Sequence, residues 1–112
     1  MARKRHVIGI DSSTQSTKAI VWDEDGRAVA EGRATIALST PQPGYAEQDC
    51  EDWWDALTVS VSMAVAAVGA DTVDAVAISN QRETVAFLDA DGRALCPAMV
   101  WLDERSIGSH AA

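Results

Sequence analysis

The chain has 112 residues, of which 47% are apolar and 23% charged, a composition that suits one folded domain and argues against disorder. Seventeen acidic residues against nine basic ones give a net charge of -8, which argues against nucleic acid or an anionic membrane as a partner, since both require clustered Lys and Arg. Two cysteines, Cys50 and Cys96, form neither a disulfide framework nor a metal-ligand spacing. A reducing cytoplasm is the expected compartment, with one disulfide between them left open.

The basic start Arg3-Lys4-Arg5 leads into Val7-Ile8-Gly9-Ile10, which Asp11 closes. This run is too short for a signal-peptide core, and no stretch approaches the roughly 18 apolar residues of a membrane span. Residues 6–10, rich in Val and Ile, read as a short buried strand. A polar turn at 12–17 follows, then a second strand at 18–23 and a hairpin signal at Asp25-Gly26. The third strand is expected at 28–37, which makes an antiparallel meander of three. Pro41, Pro43 and Gly44 mark a loop over 39–48.

Asp49 is a suitable N-cap, with Glu51, Asp52 and Asp55 near the positive end of a helix dipole. The helix is expected to run to Val68, with an apolar face of Trp54, Leu57, Val61, Ala64, Val65 and Val68, and with Gly69 as C-cap. At least one of Trp53 and Trp54 is expected in the core. Residues 73–79 read as a central parallel strand buried on both faces, reached by a helical crossover. Residues 85–88 and 94–101 read as a hairpin about Asp91-Gly92. The segment Asp23-Glu24-Asp25-Gly26-Arg27 resembles Asp89-Ala90-Asp91-Gly92-Arg93, one turn chemistry used twice. His6 and His110 are expected to face solvent, and the acids over 47–55 to be helix-start charge.

The order β-β-β-α-β plus a hairpin predicts an α/β chain that opens a ribonuclease-H-like or actin-like fold. No dinucleotide-binding or Walker A motif occurs.

Three stretches carry candidate chemistry. In Gly9-Ile10-Asp11-Ser12-Ser13-Thr14-Gln15-Ser16-Thr17-Lys18, an acid ends a buried strand before a hydroxyl-rich turn. Such a turn can cradle a phosphate, and Asp11 can hold Mg²⁺, which uses one or two carboxylates and keeps several waters. An ordinary polar turn capped by Asp11 fits the same pattern. Ser79-Asn80-Gln81-Arg82-Glu83-Thr84 follows the parallel strand, where open α/β sheets bind ligands. Its donors and acceptors suit a polyhydroxylated ligand, and a solvated loop is the alternative. Met99-Val100-Trp101-Leu102-Asp103-Glu104-Arg105 places an aromatic face before a run of charges. That suits the C–H face of a sugar, or else a core tryptophan before a helix start. Cys50 and Cys96 have no neighbouring base and are not expected to be nucleophiles.

Together with Gly44-Tyr45-Ala46-Glu47-Gln48-Asp49 and Trp53-Trp54, and with Pro97-Ala98 ahead of the third stretch, these blocks resemble the FGGY family of carbohydrate kinases. The first loop is more like that of some xylulokinases, and Gln81-Arg82-Glu83-Thr84 more like that of glycerol kinases. Ser13 stands where the glycerol-kinase loop has glycine. The resemblance implies an actin-like ATPase fold of two lobes. The implied reaction is ATP- and Mg²⁺-dependent phosphorylation of a sugar or polyol hydroxyl, on a pentulose such as xylulose or a glycerol-like polyol. It puts Asp11 at the metal and phosphate region, Thr14, Gln15, Ser16 and Lys18 at the nucleotide phosphates, and Gln81, Arg82, Glu83 and Trp101 at the acceptor.

It also implies that residues 1–112 are the N-terminal part of the first kinase domain. The C-terminal lobe and the catalytic base, which is not Asp103, would lie downstream. The chain alone is then expected to be inactive and to expose surfaces that the rest of the kinase covers, with a homo-oligomer left open. Two rivals are a ribonuclease-H-like metal-dependent nuclease, which needs more acids and a basic face, and a non-catalytic carbohydrate-binding module.

Overall fold

The computed structural model describes residues 4–107; the expectation for His110 lies outside them. Alternation builds the sheet. In β1 (His6–Ser12), His6, Ile8 and Ile10 are buried while Val7 and Asp11 point to the other face, the period of two that a pleated strand imposes. β2 (Ser16–Trp22) repeats the pattern with Thr17, Ala19 and Val21 buried, and pairs antiparallel with β1. β3 (Ala28–Thr35) adds antiparallel to β2, completing the predicted meander.

The turn between β2 and β3 shows why Asp and Gly recur there. Asp23 Oδ1 accepts the backbone N–H groups of Asp25 and Arg27, each at 2.9 Å, while Gly26 adopts φ 79°, a conformation that favours glycine. The Arg27 N–H holds the Asp23 carboxyl below its ordinary range. Asp89 makes the same two bonds to Asp91 and Arg93, with Gly92 at φ 82°. The sequence echo is one turn chemistry used twice.

Helix α1 (Cys50–Val65) starts at Asp49, whose side chain accepts the Glu51 N–H at 2.9 Å. Its fully buried face is narrow and small: Ala56, Ser60 and Ala64, spaced by four. These residues let the helix lie close against β2 and β3. The Ser60 hydroxyl reaches the carbonyls of Ala56 at 2.6 Å and Thr17 at 3.0 Å. Leu57, Val61, Val65 and Val68 flank the core of Ile8, Ile10, Ala19, Val21 and Ala64.

The predicted apolar face is therefore only partly right. Trp54 is 64% exposed and Trp53 only half-buried, so neither is a core residue. The regular helix also ends earlier than predicted. Past Val65 the N–H groups of Ala67 and Val68 reach back three residues, and Gly69 at φ 88° then turns the chain into a single 3-10 turn, Ala70–Thr72. That turn covers His6, which is buried rather than solvent-facing, with Nδ1 2.8 Å from Thr72 Oγ1.

Two short strands pair antiparallel: β4 (Glu47–Gln48), just before the helix, and a later strand, Ala98–Met99. Between them β5 (Val73–Asn80) runs parallel to β1, as the crossover predicted. The sheet order is β3-β2-β1-β5, so β5 is an edge strand here. Its side chains from Asp74 to Asn80 are exposed, Val76 and Ile78 at 59% each. The expectation of burial on both faces is corrected: α1 packs on β2 and β3, leaving β5 uncovered. The predicted second hairpin survives as its turn and two bridges, Leu88–Ala94 and Val85–Met99. β6, the strand Ala98–Met99, takes β4 as its main partner. Among the described residues, no helix is long and apolar enough to cross a membrane.

Candidate functional site

Parallel β1 and β5 end side by side, with Asp11 opposite Ser79 and Ser12 opposite Asn80. The Gln81 N–H donates to the Ser12 carbonyl at 3.0 Å and continues the ladder one step beyond the strands. Each chain then diverges, and the gap outside the carboxyl ends is where open α/β sheets hold ligands. A cavity of about 490 Å³ lies there, lined by Asp11, Ser13, Thr14, Asn80, Gln81, Arg82, Glu83 and Trp101. Glu83 sits at φ 55° without being glycine. Such left-handed backbone costs on the order of 1 kcal/mol and concentrates at functional sites.

The charged groups around this cavity differ from those of the third stretch. Among the described residues, neither the Arg82 guanidinium nor the Glu83 carboxylate has a protein partner, and Asp11 meets only the Ser79 hydroxyl at 3.5 Å. The third stretch spends its charges on structure instead. Asp103, its side chain 6% exposed, accepts from the Ala46 N–H at 2.8 Å and from Arg105 Nε at 2.9 Å. Arg105 also pairs with Glu47 at 2.6 Å and lies 3.9 Å over the Tyr45 ring, a cation–π contact. Glu47 is therefore part of this clamp rather than helix-start charge. The clamp fastens the segment just after Trp101 to the loop before α1 and so fixes that wall of the cavity.

Arg105 hydrogen bonding, with the Ala46 N–H, holds the Asp103 carboxyl far below the usual carboxylate range. A depressed folded-state value contributes stability above the unfolded value, about 3.9 for Asp, and loses it as pH falls through the folded one. This contribution to thermal stability is expected to be fully present from pH 7 to 5 and to decline below about 4. Asp23 and Asp74, also held low by the Arg27 N–H and by Arg5 respectively, lose their contributions in the same window. Asp103→Asn should decline less steeply there; an identical slope would show that the clamp carries no pH-linked stability.

Of the nine predicted site residues, six line one cavity: Asp11, Thr14, Gln81, Arg82, Glu83 and Trp101. Three lie apart from it. Gln15 is exposed and its carbonyl accepts the Ile36 N–H, while Ser16 enters β2. Lys18 lies in a neighbouring groove of about 500 Å³ on the open sheet face, which it shares with Asp11, and pairs with Glu31 at 3.4 Å.

One residue of the site was not foreseen. Gln48 is 2% exposed and bonds the Thr14 carbonyl, Trp53 and Gln81. Its one sequence signal was its place in the block 44–49. Cys50 and Cys96 are both free thiols, and burial, reinforced by Asp49, pushes the Cys50 thiol above its ordinary value, which disfavours a nucleophilic role.

Residues 6–111 match the N-terminal domain of the FGGY family of carbohydrate kinases. Glycerol kinase from Saccharolobus islandicus is 37% identical over 103 residues, 91% of this chain and 21% of that protein. Glycerol kinase from Rhizobium rhizogenes is 38% identical over 104 residues, 90% of this chain and 21% of its own. The crystal structure of xylulose kinase from Rhodospirillum rubrum superposes with a TM-score of 0.87 at 30% identity, over 96% of this chain and 22% of that one. The glycerol kinase of Plasmodium falciparum with ADP gives 0.83 at 26%, over 99% and 23%. The chain thus spans about a fifth of the length of the relatives it matches. Its meander, crossover helix and parallel strand are a part of the ribonuclease-H-like, actin-like ATPase fold. On this match, the chain belongs to the FGGY family of carbohydrate kinases, within its N-terminal domain.

Proposed function

We propose that this chain supplies the phosphate loop and the acceptor wall of a cytoplasmic kinase that transfers the γ-phosphoryl group of ATP to a sugar or polyol hydroxyl. The observation that carries the reading is the single cavity in which Asp11 and Thr14 face Arg82, Glu83 and Trp101. Phosphoryl transfer is chiefly positioning and electrostatic stabilisation. The unpartnered Arg82 guanidinium can donate to acceptor hydroxyls and Glu83 can accept from them, while the Trp101 face packs against C–H groups. The Thr14 hydroxyl can donate to a phosphate oxygen.

No group of three or more potential metal ligands occurs among the described residues. A single carboxylate still fits Mg²⁺, which takes one or two with substrate phosphates and water. When bound it would neutralise developing phosphate charge. A glycerol-like polyol is the first reading of the acceptor, favoured by the named relatives at 37–38% identity. A pentulose is the second, favoured by the xylulose kinase structure at 30%.

Residues 1–112 would form the N-terminal part of the first kinase domain, with the general base and the adenosine pocket supplied by other parts of the kinase. Asp103 does not serve as base, being held by Arg105 and the Ala46 N–H. The test is acceptor-dependent ADP release from MgATP, measured on the kinase containing this segment with glycerol, xylulose and related polyols. Release with one of them is expected, and none from the 112-residue chain by itself. No acceptor-dependent release from the larger kinase would sink the reading. Turnover by the isolated chain would overturn the assignment of the base.

A further inference from the structure

β4 has two residues, and their side chains leave on opposite faces. Glu47 goes to the Arg105 clamp; Gln48 goes inward. An indole N–H can only donate, and Trp53 Nε1 lies 2.9 Å from Gln48 Oε1. That settles the orientation of the amide: Oε1 faces Trp53 and Nε2 donates to the Thr14 carbonyl. Gln81 must then donate through Nε2 to the same Oε1, at 2.9 Å, which leaves its own Oε1 to accept the Thr84 hydroxyl at 3.0 Å. A second donor-only group closes the chain, because Trp101 Nε1–H donates to Thr14 Oγ1 at 2.8 Å. Thr14 is thus gripped twice, its carbonyl by Gln48 and its hydroxyl by Trp101. The hydroxyl oxygen already accepts one bond, so its proton remains free to donate into the cavity.

We propose that Gln48 is a positioning residue: its buried side-chain amide locks the Thr14 turn to the Gln81 segment and thereby sets where Trp101 closes the cavity and where the Thr14 hydroxyl points. The coupling is a property of this chain. Its use, aiming Thr14 at a transferring phosphoryl group, rests on the function proposed above.

The test reads the indole N–H resonances of the ¹⁵N-labelled 112-residue chain, assigned through Trp→Phe variants. In Gln48→Met the Trp53 indole loses its acceptor and should exchange with solvent about tenfold faster, as expected for one lost hydrogen bond. The Trp101 indole N–H bonds Thr14 and not Gln48, yet it should shift and exchange faster too, because Thr14 is released. Trp22 and Trp54 lie outside the network and should stay unmoved, reporting an intact fold. A stationary Trp101 resonance beside a shifted Trp53 would reduce Gln48 to local packing and overturn the proposal.

If Gln48→Met does not fold, Gln48→Glu, read at alkaline pH so that the buried carboxyl is ionised, keeps acceptors for Trp53 and Gln81 and replaces the donor to Thr14 with an oxygen that repels its carbonyl. There Trp53 should hold while Trp101 moves, and an unmoved Trp101 overturns the proposal equally. In the larger kinase Gln48→Glu should lower kcat by about tenfold or more and also raise the acceptor KM, because the Trp101 wall shifts with Thr14. Absence of all kinase activity, with both indole responses present, would strike the proposed function and leave the positioning role standing.

Discussion

Replacing Arg82 by alanine, in the kinase that contains this segment, is expected to raise the acceptor KM about 10- to 100-fold and to leave the KM for ATP within about twofold. The magnitude follows from hydrogen bonds to a charged group, worth about 1.5–3 kcal/mol, at about 1.4 kcal/mol per tenfold. The selectivity follows from placement. Arg82 has no protein partner among the described residues and lines the cavity on the wall opposite the Asp11 and Thr14 turn, so its removal disturbs no internal ion pair. Arg82→Lys should recover only part of the loss, since an ammonium cannot present the planar fork of a guanidinium. Steady-state kinetics with acceptor and ATP varied separately decide the matter. Unchanged values for both would show that the 81–83 segment does not meet the acceptor, and an equal rise in both would shift Arg82 to the nucleotide side.

The second large effect concerns folding. Gly32→Ala should destabilise the chain by about 3 kcal/mol, the upper part of the range for overpacking, a large share of the stability of any small domain. A Cβ at Gly32 would stand 1.8 Å from the Ser60 carbonyl oxygen and 3.0 Å from the Met63 Cβ. Backbone in the middle of a helix cannot swing aside as a side chain can, so α1 must lift from β3. Gly9→Ala is the control, because a Cβ there meets only the Trp22 Nε1 at an ordinary 3.6 Å. Urea unfolding of both variants separates the two sites. A Gly32→Ala chain as stable as Gly9→Ala would mean that the close seating of the helix is not what holds the sheet together.

These predictions rest on features of unequal visibility. The meander was legible because Val7-Ile8-Gly9-Ile10 and Ala19-Ile20-Val21-Trp22 flank a polar turn and Asp25-Gly26 follows; each signal is local. The start of α1 was legible for the same reason, since an Asp49 cap acts within one turn. The helix face was harder. Apolar periodicity pointed to Trp54 and Leu57, whereas the closest contact runs through Ala56, Ser60 and Ala64, selected for smallness where Gly32 lies beneath. Small residues give no hydrophobic signal of contact. His6 gave none either, because the Thr72 hydroxyl that satisfies it lies 66 positions away.

β5 shows a converse failure: Val76 and Ile78 read as buried, yet both are exposed, and only Val73 packs against the core. Apolarity records what a strand can bury, and burial depends on what packs on it. The candidate site followed the same division. The residue types at 11, 14 and 81–83 and at Trp101 suggested phosphate and polyol chemistry from their side chains and their position at strand ends. That Asp103, Arg105 and Glu47 are spent on a clamp, that Lys18 is paired with Glu31, and that Gln48 joins the two walls followed from pairings across 58, 13 and 34 positions. Local chemistry and short-range pattern determined the order of elements and the kind of ligand suggested. The tertiary structure decided which charged groups stay available to that ligand, because an ion pair or buried amide closes through space between segments whose separation along the chain leaves no periodicity to read.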